Sequence, residues 1–67
     1  MLYILHCLEG EQLKRKVESN EMGDAIAAAE ECKTATNFNL YSHEWPDHHL
    51  CGEVKQNGHI DWVRSKF

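Results

Sequence analysis

The stretch LYILHCLEGEQLKRKVESNEMGDAIAAAEEC, residues 2–32, decides the fold, because two strand-like segments around a glycine turn give way in it to helical spacing. Residues 2–8 are short and mostly apolar and run into Glu9 and Gly10, the pattern of a strand entering a turn. In residues 12–18, Leu13 and Val17 fall on one face of an extended chain and Lys14 and Lys16 on the other. An antiparallel hairpin across Glu9 and Gly10 follows. A two- or four-residue turn then places Leu2, Ile4, His6 and Leu8 on the face of Leu13 and Val17, the face a helix would cover. Tyr3, Leu5 and Cys7 are expected on the opposite face, beside Lys14 and Lys16.

From Glu21 to about Ala35 the period is helical. Met22, Ala25, Ile26, Ala29 and Cys32 recur at three- and four-residue intervals and form a narrow apolar stripe. Asn20 is the expected N-cap, with Ser19 the second candidate. Glu21 and Asp24 lie near the positive end of the helix dipole and Lys33 near the negative end. The alanines suit a helix lying flat on a sheet, where small side chains permit close approach. This opening ββα pattern, with Val17 leading to the helix that contains Asp24, Ala25 and Ile26, is similar to that of various small bacterial and phage domains. The likeness is architectural and covers about half the chain.

Strand period returns in residues 38–44, with Phe38 and Leu40 inward and Asn39, Tyr41 and His43 outward. Pro46 ends this strand, since proline cannot donate to a ladder. Residues 50–55 and 59–63 form a second hairpin around Asn57 and Gly58. A three-residue loop, Gln56 to Gly58 with Gly58 in the left-handed region, sets Val54 opposite Ile60 and keeps both apolar residues on one face. The expected architecture is α+β: one domain over residues 1–67, an antiparallel sheet with one helix packed on one face, in the order β-β-α-β-β-β.

With 67 residues, a second domain is excluded on size. The longest apolar run, Leu2 to Leu8, falls well short of the roughly 18 residues of a membrane span and is broken by His6. The three cysteines, Cys7, Cys32 and Cys51, are odd in number and widely spaced, a poor disulfide framework. With no signal-peptide pattern, they are expected to be reduced thiols in a cytoplasmic protein. So short a chain invites a helper, either self-association or a metal.

One helix covers one face, so the other face is open to a partner. Tyr3, Leu5, Tyr41 and Trp62, rimmed by Lys14 and Lys16, are the expected interface, because exposed aromatics ringed by charge are what protein interfaces present. The partner would be another protein or a second copy, in the manner of a small acidic adaptor or inhibitor such as phages and mobile elements encode. A zinc site is the alternative. His43, His48, His49 and Cys51 supply suitable ligands, although their spacing lacks the paired half-sites of zinc motifs. A second alternative is weak nucleic-acid binding through Lys14, Arg15, Lys16, Arg64 and Lys66, disfavoured by a net charge of −4 and scattered cations. Catalysis is not expected: His59 and Asp61 share a strand face but sit at a hairpin tip, and so small a chain can hardly enclose a substrate pocket.

Overall fold

The computed structural model describes all residues, 1–67. Its elements are β1 (Tyr3–Glu9), β2 (Gln12–Ser19), α1 (Met22–Glu31), β3 (Asn37–Ser42), β4 (His48–Val54) and β5 (Ile60–Lys66). The five strands form one sheet in the order β2-β1-β3-β4-β5, antiparallel at every pairing. Because β2 and β3 both run antiparallel to β1, the β2–α1–β3 connection passes over β1 and lays the helix on β1 and β2. Ala25 and Ala29 are buried at that contact, and their small side chains set the close approach.

The first hairpin turns on Gly10 (φ +64°) and Glu11, with Glu9 opposite Gln12. Positive φ at the first central position alone suits glycine. The second hairpin has the three-residue loop expected: Val54 stands opposite Ile60, Lys55 N–H donates to the His59 carbonyl (2.8 Å), and Gly58 takes φ +82°.

The facing of β1 and β2 corrects the sequence reading. Leu8 pairs with Leu13, but Cys7 pairs with Arg15, so Lys14 is an extra residue on β2. That bulge shifts the register by one, and a shift of one residue reverses every side chain beyond it. Val17 therefore faces Leu5 rather than Ile4. Tyr3, Leu5 and Cys7 lie under the helix with Phe38, Leu40, Ala35 and Ile60, all buried. Ile4, His6 and Leu8 share a face with Leu13 as expected, but it is the open face.

The helix stops short of Ala35, its expected end: it spans Met22–Glu31 and is capped at Cys32, whose N–H returns to the Ala29 carbonyl (3.1 Å). Residues beyond it are claimed by the sheet. Thr36 N–H donates to the Leu8 carbonyl (2.8 Å), and the Thr36 carbonyl accepts from Val54 N–H (3.2 Å). Glu21, not Asn20, is the N-cap residue, and its N–H bonds to the Ser19 hydroxyl (3.1 Å).

Candidate interaction face

The open face reads as rows across the strands, since directly paired residues project to the same side. One row runs Lys16, His6, Asn39, Cys51, Val63, and a second runs Leu13, Leu8, Asn37, Glu53, Asp61. Glu18, Ile4 and Tyr41 begin a third. The face therefore grades from an aromatic end to an acidic end.

Tyr41 is the hub of the aromatic end. Its ring meets His6 edge-on (centroids 5.2 Å, 64°), stacks on His49 (5.1 Å, 22°) and lies parallel to Phe67 (6.4 Å, 5°). His49 also stacks on Phe67 at 5.0 Å. Such ring pairs contribute about 0.5–1.5 kcal/mol each beyond area burial. Phe67 is held by its N–H donating to the Asp47 carbonyl (3.1 Å), yet its side chain remains 74% exposed. Leu13 and Val63 add exposed apolar surface on the same face. His49 Nε2 lies 3.3 Å from Cys51 Sγ, while His49 Nδ1 is buried without a partner. A stranded buried polar atom costs about 1–3 kcal/mol, a local expense the fold carries within the aromatic end. At the other end, Asn37, Asn39, Cys51, Glu53, Asp61 and Val63 border a hollow of about 280 Å³. Lys55 closes that end at 3.4 Å from Glu53 and 4.0 Å from Asp61.

The expected interface residues divide. Tyr41 and Lys16 stand on the open face. Tyr3 and Leu5 do not: both are buried beneath the helix because of the Lys14 bulge. Trp62 also lies on the helix side, paired with Gly52 and packed against Phe38 (6.0 Å). Lys14 reaches back to Glu9 (3.6 Å). The face is instead built from Ile4, His6, His49 and Phe67, which the sequence analysis did not assign to it. The signal for the first two was present in a lysine-rich edge segment, where bulges concentrate.

The four residues expected as zinc ligands are not brought together. His48 and His49 are neighbours on β4 and point to opposite faces. His48 stacks on Trp45 (5.4 Å) and its Nδ1 lies 2.8 Å from Asp47 Oδ1. That hydrogen bond holds the Asp47 carboxyl below its usual range. His43 is exposed in the turn before β4, and Cys51 reaches only His49. No group of three or more His, Cys, Asp or Glu side chains converges as a metal site. The cations are divided as well. Lys14, Arg15 and Lys16 lie on β2 and Arg64 and Lys66 on β5, opposite edges of the sheet and about 19 Å apart at four strand spacings.

Two thiols meet at the end of the helix. Burial, with the Cys32 thiol beside it, pushes the Cys7 thiol up to about 11. Burial acts upward on Cys32 too, but hydrogen bonds from Thr34, Cys7 and the Ala35 backbone bring it below its usual value.

No helix is long and apolar enough to cross a membrane. No protein-family model, curated protein or solved structure matches the chain.

Proposed function

We propose that this protein is a small protein–protein interaction module, an acidic adaptor or inhibitor of the cytoplasm, acting by occupancy through the aromatic end of its open sheet face. The observation that carries the reading is the His6–Tyr41–His49–Phe67 cluster. Four stacked or edge-packed rings stand on the side opposite the helix, with Phe67 largely in solvent. Aromatic anchors of limited rotamer freedom with polar groups around them suit binding energy concentrated at a few residues. Lys16 and Glu18 at one margin and Glu53 and Asp61 at another supply the charged rim. Nucleic acid is less well served, because the cations occupy opposite edges and give no continuous path for a phosphate backbone.

The test is capture of binding proteins from a lysate of the source cells, followed by mapping on isotope-labelled chain. The double variant Tyr41→Ser with Phe67→Ser should keep the circular dichroism of the folded chain and lose the captured protein. Chemical-shift changes on adding that protein should centre on His6, Tyr41 and His49. Changes centred on α1, or capture indifferent to the double variant, would overturn the reading.

A further inference from the structure

The two edges of the sheet are built differently. On β2 the ladder is broken by the Lys14 bulge, and Lys14, Arg15 and Lys16 would place like charges against any second β2. On β5 nothing interrupts the strand: Ile60 to Lys66 pair with β4 through seven consecutive positions, with no shift and no proline. The phase of that ladder is fixed by the Lys55–His59 bond (2.8 Å) and by Phe67 N–H donating to the Asp47 carbonyl (3.1 Å). Antiparallel pairs alternate, so Asp61, Val63 and Ser65 direct their backbone groups toward β4. Ile60, Trp62, Arg64 and Lys66 direct theirs outward, where no strand receives them.

We propose that β5 is a self-pairing edge. Two copies of the chain join antiparallel through β5 about a two-fold axis at Val63, making one ten-stranded sheet. The side chains select both the occupant and the register. Pairing the outward backbone groups requires an axis through a residue, and three positions near the strand centre are available. An axis at Arg64 sets Arg64 against Arg64 of the second copy. An axis at Trp62 sets each Asp61 carboxylate against the apolar Val63. An axis at Val63 sets each Arg64 beside Trp62 of the other copy, a cation against an indole face. It also places Asp61 opposite the Ser65 hydroxyl and Val63 against Val63. Val63 is 57% exposed in the single chain, and this contact covers it. Trp62 with Arg64, and Ile60 with Lys66, become hydrogen-bonded pairs on both sides of the axis, up to about eight backbone bonds.

This goes beyond the open-face reading and is separable from it. Edge pairing leaves Tyr41 and Phe67 uncovered and presents two copies of the aromatic cluster on one face, at opposite ends of the joined strands. The experiment is sedimentation equilibrium of the 67-residue chain between about 10 and 500 μM, with a mixed-label nuclear Overhauser measurement on the same sample. The expected species has twice the 7.8 kDa chain mass. It should show an intermolecular contact from Val63 to Val63, whose Cα atoms would stand about 4.5 Å apart. Val63→Lys should weaken association at least tenfold with unchanged circular dichroism. A synthetic chain N-methylated at the Arg64 amide, whose N–H serves no partner within the monomer, should do the same. Tyr41→Ser should leave the dimer intact. A monomer at 500 μM, a dimer without the Val63 contact, or a dimer lost on Tyr41→Ser and kept on Arg64 N-methylation would overturn the proposal.

Discussion

Leu5 stands directly opposite Val17 across β1 and β2, while Leu8 stands opposite Leu13, and the residue left over between these pairs is Lys14. Leu5 is fully buried and Leu13 is half in solvent. One unpaired residue at a sheet edge thus sets which half of β1 becomes core.

Deleting Lys14 should therefore do far more damage than truncating it. Without the extra residue, either Val17 turns to the open face or Gln12 and Leu13 lose their pairing with Glu9 and Leu8. The deletion is expected to cost more than about 3 kcal/mol. Lys14→Ala keeps the register and removes only an exposed pair with Glu9 at 3.6 Å, a loss of about 1 kcal/mol at most. Urea denaturation of the two variants separates the outcomes, and similar losses in both would mean that the bulge does not set the facing.

Gly52 is required by its neighbours rather than by its backbone angles. A Cβ there would lie 2.9 Å from Ile60 Cγ2 and 2.9 Å from Trp62 Cζ3. The indole is itself backed by Phe38, so it has little room to retreat. Gly52→Ala should cost about 1–3 kcal/mol and shift the Trp62 fluorescence. Adding Trp62→Leu should recover part of that loss, a coupling that a double-mutant cycle reads directly.

Cys7 makes stability fall on the alkaline side. Its thiol ionises at about 11 in the folded chain, against 9.0 ordinarily, first because it is desolvated and next because Cys32 is beside it. A raised pKa favours the neutral form in the fold, so this contribution is complete below pH 9 and is lost as pH rises through 11. Two units correspond to about 3 kcal/mol at most. Comparing the chain with Cys7→Ala from pH 8 to 11 isolates the effect, since the lysines and tyrosines titrate in both. The gap between the two should narrow steadily with pH, and a constant gap would contradict the assignment.

Much of the fold was legible because local chemistry specifies it. Alternation of Phe38 and Leu40 with Asn39 and Tyr41 gave the faces of β3 correctly. The glycine preference for φ near +82° at Gly58, with the need to keep Val54 and Ile60 together, gave the second hairpin and its register. The alanine stripe gave a helix lying close on the sheet. The helix end was not legible, because Thr36 is drawn out of it by bonds to Leu8 and Val54, residues distant in sequence. The histidine cluster misled for a simpler reason: neighbours on a strand point apart, so proximity in sequence separated His48 from His49.

By itself, then, the sequence determined the element order, the turns and the alternation within each strand, all set by backbone sterics and by residues within a few positions of one another. Only the tertiary structure decided which side of β1 the helix covers, and so which residues stay on the open face. That choice depends on a single unpaired lysine. A bulge leaves the local hydrophobic pattern unchanged while reversing every side chain beyond it relative to the neighbouring strand, and only the cross-strand pairing of Cys7 with Arg15 reveals it.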